Sequence, residues 1–175
     1  MRKIYVIGTI HGITPNNELK SILKKINPNQ ILIEIVERDL KNKSFKGYPN
    51  EMVYTYEWGI KNQKIINGFD FKIRTVKKPV LKNKKLLKKL DEKAIKIISK
   101  HNWKEWNKSK YDEDKEFYKL QKRIIDFKNQ KIRENKMLSN IKKIMVKNKK
   151  ILVLTGVSHL RFFEKKLKGA IFPFR

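Results

Sequence analysis

The sequence predicts an α/β fold: a central, mostly parallel sheet flanked by helices, with a basic helical insertion in the middle of the chain. Three observations lead there. A strand, a helix and a second strand follow one another with short connections over residues 3–36. A long stretch from Val80 to Val146 has helical period and a strong excess of lysine. A closing strand and helix occupy residues 151–167.

Each element has a local reason. Lys3 to Thr9 is β-branched and aromatic and meets Gly8, the pattern of a buried strand. Beyond Pro15, Leu19, Ile22, Leu23 and Ile26 recur at three- and four-residue steps, and Asn27-Pro28-Asn29 stops that helix. Gln30 to Val36 is a second strand, apolar on both faces except at Glu34, and a right-handed βαβ unit predicts that the two strands are parallel neighbours. Glu37 to Pro49 is a polar connection, and Asn50 caps a helix running to about Ile66, closed by Asn67-Gly68. Phe69, Phe71 and Ile73 alternate with polar residues, predicting a third strand to Val76. The helical middle carries three apolar stripes: Leu86, Leu87, Leu90, Ile97 and Ile98; Phe117, Leu120, Ile124, Ile125 and Phe127; Met137, Ile141, Ile144 and Met145. Ile151 to Thr155 is a strand bounded by Gly156, a helix spans Ser158 to about Leu167, and Ala170 to Phe174 is an edge strand marked by Pro173.

Composition narrows the class. A chain of 175 residues, 39% hydrophobic and 35% charged, has room and apolar content for one folded domain. No cysteine is present, which removes disulfides, thiolate metal sites and a cysteine nucleophile, and imidazole chemistry is confined to His11, His101 and His159. No apolar run approaches the length of a bilayer span, and the basic start at Arg2-Lys3 precedes too short an apolar run for a secretion signal, so a cytoplasmic protein is expected. The net charge is +27, and residues 77–150 hold 26 of the 44 basic side chains. Such a field attracts phosphate polymers non-specifically, while a general drift toward lysine and asparagine on solvated faces is the plainer account of it.

Three polar residues stand where packing alone would not choose them. His11 follows the first strand in Gly8-Thr9-Ile10-His11, and His159 follows the late strand in Gly156-Val157-Ser158-His159. In a parallel sheet the carboxyl ends of strands open onto the ligand crevice. The shared Gly-x-x-His pattern predicts tight turns that return each imidazole over that edge. Glu34 lies inside the apolar second strand, where an unpaired carboxylate is costly. It requires a metal ion, a protonated histidine or an arginine, with Arg38, Arg74 and Arg133 available. His101, Trp103 and Trp106 read as packing residues of the helical middle.

These residues also resemble a family. Gly8-Thr9-Ile10-His11, Pro28 ahead of a strand, and Ile33-Glu34-Ile35-Val36-Glu37-Arg38 are similar to the opening of the TraB/PrgY and Tiki proteins, which are related in fold to the ChaN-like and erythromycin-esterase-like proteins. Ile132-Arg133-Glu134-Asn135-Lys136-Met137 resembles the family's arginine-led helix motif, and Gly156-Val157-Ser158-His159 its closing Gly-x-x-His. The chain departs from the pattern in its short length, its basic middle and Ile35 in place of the usual leucine. Thr9 stands where the erythromycin-esterase branch has a Gly-Glu pair, favouring the TraB/Tiki side. The resemblance implies a single domain over residues 1–175 with a helical insertion at about 80–148, and metal-dependent peptidase activity on one branch or haem binding on the ChaN-like branch.

Three functional readings result. In the first, a metal-dependent hydrolase of small-molecule or peptide substrates holds Mn²⁺, Fe²⁺, Co²⁺ or Zn²⁺ on His11, Glu34 and His159, with Arg133 and Arg38 orienting Glu34 or an anionic substrate group. In the second, no metal is used: His11 is a general base tuned by Glu34, and His159 binds substrate. In the third, the chain is a binding protein for haem or, through its basic helices, for nucleic acid.

Overall fold

The computed structural model describes residues 3–108, 115–147 and 149–174. Arg2, and the parts of the helical stretch at 109–114 and 148, lie outside the described residues. Four parallel strands, β1 (Lys3–Thr9), β2 (Gln30–Ile33), β3 (Ile65–Gly68) and β4 (Lys150–Gly156), form one sheet in the order β1-β4-β2-β3. The sheet is all-parallel and flanked by helices, as the alternation of elements predicts.

β1 and β2 are parallel but not neighbours, because β4 lies between them. The position suits β4: Ile151 to Leu154 are wholly buried, and such a run gains most at the centre, covered on both faces. β1 is thereby left at the edge. Its outer side is closed by Ile171, which accepts from the Val6 N–H and donates to the Ile4 carbonyl, each within 2.9 Å. The C-terminal edge strand is thus reduced to a single bridge at Tyr5.

The third strand also differs from expectation. It is Ile65–Gly68, and helix α3 (Asn50–Lys61) ends earlier than its apolar period suggests. Asn67-Gly68 serves the strand rather than stopping the helix. A Cβ on Gly68 would strike the Ile35 carbonyl, so only glycine lets β3 lie against the chain leaving β2. Phe69 is wholly buried, while Phe71 is exposed, and the segment beyond it forms no strand: it is held by a Val76–Ile125 bridge and by hydrogen bonds from Asp126 and Asn129 to the Thr75 and Arg74 carbonyls. The polar connection after β2 contains a short helix, α2 (Glu37–Lys41).

Between β1 and β2, α1 (Asn16–Ile26) buries Leu19, Leu23 and Ile26 and ends on Asn27 in the left-handed region, φ 44°. The insertion consists of α4 (Lys78–Lys82), α5 (Lys84–Ile98), α6 (Trp103–Asn107), α7 (Lys115–Ile124) and α8 (Phe127–Ile144). Its stripes face inward at Leu90 and Ile97, at Phe117 and Leu120, and at Met137 and Ile141. Asn102 and Glu105 form a reciprocal capping box on α6, and the Asp126 carboxylate accepts from the Lys128 and Asn129 amides to start α8. Asn107 ties the insertion to the edge of the sheet: it accepts from the Gly8 N–H at 2.8 Å and donates to the Gly8 carbonyl at 2.7 Å. It supplies the edge of β1 with what a further strand would give. After β4, a 3-10 turn (Val157–His159) leads into α9 (Leu160–Lys166). Among the described residues no helix is long and apolar enough to cross a membrane.

Candidate functional site

β2 ends at Ile33, one residue before Glu34, whose amide still donates to the Leu154 carbonyl at 3.1 Å. The side chain therefore projects at the carboxyl edge of the sheet, 6% exposed. Both oxygens are fully engaged. Oε2 accepts from the Thr155 hydroxyl at 2.6 Å and the Gly156 amide at 2.7 Å. Oε1 accepts from Arg133 Nη2 at 2.9 Å and faces His159 Nε2 at 3.4 Å. Of the partners open to Glu34 in the sequence, an arginine and a histidine are both present.

The cluster extends outward on either side. Arg133 donates through Nε and Nη2 to the two oxygens of Asp70, at 2.9 and 2.8 Å. His159 Nδ1 lies 2.9 Å from Glu134 Oε1, with Gln130 Nε2 3.3 Å from each of them. Helix α8 makes this arrangement possible: Gln130, Arg133, Glu134, Met137 and Ile141 recur on one face, the last two wholly buried and anchoring the helix.

Charge follows from these contacts. Burial pushes the Glu34 carboxyl up, but His159 and Arg133 outweigh it and hold the group well below the usual carboxylate range. Burial pushes the His159 imidazole down, and Glu34 and the hydrogen bond to Glu134 outweigh that, raising it to about 9. At neutral pH the buried centre is thus an ionised network with His159 as a cation.

His11 is held differently. Its Nδ1 is 2.8 Å from Glu51 Oε1, and the Gly12 amide donates to the other oxygen of Glu51 at 3.3 Å. Glu51 is buried at the start of α3, whereas half of the His11 side chain is exposed. The ring lies over Gly156, where an added Cβ would come within 3.3 Å of His11 Nε2. At Gly8 an added Cβ would stand 2.7 Å from the Leu160 side chain. Neither glycine has a positive φ, so what each contributes is room for a close contact rather than left-handed backbone. His11, Glu34, Arg133, Glu134, Ser158 and His159 line one cavity of about 940 Å³ at the sheet edge, and the insertion supplies its far wall.

Two of the expected roles meet a different geometry. Arg38 is 77% exposed on α2, and its guanidinium faces Asp39 at 3.6 Å rather than Glu34. As the second residue of α2, it points outward. Second, His11, Glu34 and His159 share a cavity but do not fit a metal in this arrangement. Each nitrogen of His159 faces a carboxylate, both oxygens of Glu34 accept from protein donors, and His11 is paired to Glu51. Among the described residues no group of three or more His, Asp or Glu side chains is placed to hold an ion. His101 packs edge-on against Trp106, centroids 5.7 Å apart, away from the cavity.

No protein-family model matches the chain, and no curated protein or solved structure is detectably similar to it. Glu51, Asp70, Glu134, Gln130 and Thr155 escaped the sequence reading. Glu134 adjoins Arg133 in the helix motif and Thr155 ends an apolar strand, so both carried a signal; Glu51, an acid in the first turn of a helix, carried none.

Proposed function

We propose that the chain is a metal-independent hydrolase of ester-type bonds in which His11, oriented by Glu51, activates water. The observation that carries this reading is the 2.8 Å contact between His11 Nδ1 and Glu51 beside an exposed ring face. A buried carboxylate at Nδ1 holds the proton there and leaves the Nε2 lone pair free toward the cavity. Nε2 takes a proton from water as the oxygen attacks a carbonyl carbon or a phosphorus, then delivers that proton to the departing oxygen. Arg133 lines the same cavity, and Nη1 makes no hydrogen bond among the described residues. It is suited to an oxygen that gains negative charge, with the His159 cation reinforcing the field behind it. Glu34 is a positioning residue here, fixing Arg133 and His159. The landmarks shared with the TraB/PrgY and Tiki proteins lend support, since His11, Glu34, Arg133 and His159 meet at one sheet edge. The metal requirement implied by that resemblance is not carried over, because the donor set is committed elsewhere.

The test is hydrolysis of a panel of aryl carboxylate and phosphate esters in the presence of a chelator. His11→Ala should abolish turnover and Glu51→Gln reduce kcat by about 10²-fold, the scale of general-base catalysis. Turnover that survives His11→Ala, or that needs added divalent ions, contradicts the reading.

A further inference from the structure

Resting on the reading of this cavity as a substrate site, we propose that it takes an anionic molecule bearing a flat aromatic ring system, such as an aryl or nucleoside phosphate. Its lining is of two kinds. On the insertion side, Phe117, Tyr118, Ile125 and Phe127 face the space. Tyr118 and Phe127 are each 45% exposed, with ring centroids 6.5 Å apart. Lys122 Nζ lies over the Tyr118 ring, 4.6 Å from its centroid, and the surface of the two rings that stays open costs free energy unless a partner covers it. A planar ring is the partner that gains most from aromatic faces.

Cationic side chains line the same space, Lys131 one turn along α8 from Phe127. Lys131 on α8 and Lys165 and Lys166 on α9 line the cavity, and none forms an ion pair among the described residues. Three carboxylates also line it, but Glu34 and Glu134 are already held by Arg133 or His159, leaving Asp91. Free positive charge therefore outweighs free negative charge within reach of the rings. A cavity of about 940 Å³ suits a small molecule of nucleotide size rather than a polymer strand.

Overall basicity alone would attract any anion to any lysine face, and this separates the two explanations. The experiment is calorimetric titration near 0.15 M ionic strength with 1-naphthylphosphonate, which has no hydrolysable bond, beside methylphosphonate and 1-naphthalenemethanol. Naphthylphosphonate should bind about tenfold or more tightly than either half-molecule, as a charge-assisted contact combined with ring burial implies. Lys131→Glu with Lys165→Glu should remove that gain, whereas Lys142→Glu with Lys143→Glu, an equal change of net charge at the far end of α8, should not. Tyr118→Ala with Phe127→Ala should weaken naphthylphosphonate but not methylphosphonate. Equal affinities for the three compounds, or equal losses in the two charge-reversed pairs, would overturn the proposal. Ring-plus-anion binding in a chain that hydrolyses nothing would support this inference while removing the hydrolase reading.

Discussion

Glu34 Oε1 and His159 Nε2 face each other at 3.4 Å, and each group's other polar atoms are also occupied. The pair joins β2 to the turn after β4, while Arg133 joins both to α8. Three distant parts of the chain are thus locked at the sheet edge through one carboxylate.

Stability should fall in mildly alkaline solution for this reason. The folded-state pKa of His159 is raised to about 9 from an ordinary value of 6.5. Its contribution is complete below 6.5, where both states are protonated, and is lost as pH rises through about 9. The lowered Glu34 carboxyl contributes in the opposite sense: its share is present above the ordinary 4.5 and disappears as pH falls through the depressed folded value. Denaturant melts across pH 6 to 10 should show a decline beginning above 6.5, absent in His159→Gln.

Removing one partner should cost more than an ordinary surface change. Glu34→Ala leaves Arg133 and His159 facing each other without the intervening carboxylate, a loss of about 3–5 kcal/mol for breaking a buried pair. Glu34→Gln should lose less, since its amide oxygen can still accept hydrogen bonds, and a fall in denaturation midpoint for both variants, larger for alanine, is the expected result.

Asn107 makes a separate prediction about the insertion. Its amide serves both polar groups of Gly8 from a distance in sequence. Asn107→Ala leaves a buried donor and acceptor unpaired, at about 1–3 kcal/mol each. Hydrogen exchange at the Gly8 amide should accelerate, while the amides of β2 remain protected.

Divalent ions should change little. Since the nitrogens and oxygens of the buried cluster are engaged within the protein, the melting temperature of chelator-treated protein should not rise on adding Zn²⁺, Mn²⁺, Co²⁺ or, under anaerobic conditions, Fe²⁺. A site that bound one of them in the folded state alone would raise it by mass action.

What was legible in the sequence follows from how each residue came to the site. His11, Glu34 and His159 were visible because they interrupt or terminate apolar strands, and strand ends gather at one edge in any parallel sheet. Arg133 was visible through a helix motif, though only packing of Met137 and Ile141 aims it inward. Asp70 and Glu51 were invisible, because a carboxylate that stabilises another side chain has no periodicity of its own. Strand order was misread for a similar reason: β1, α1 and β2 are contiguous in sequence, but the most apolar strand, encountered last, takes the centre. The third strand was displaced because Asn67-Gly68 has the residues of a stop, while Gly68 is needed for its missing side chain.

The most direct measurement is the ¹⁵N spectrum of the histidine rings, assigned by comparison with His159→Gln. Both nitrogens of His159 are expected to carry protons at pH 7.5, with the ring titrating near 9. A neutral His159 ring at pH 7.5, titrating at or below 6.5, would mean that Glu34 and Glu134 do not hold a cation between them, contradicting the ionised cluster on which the site is built.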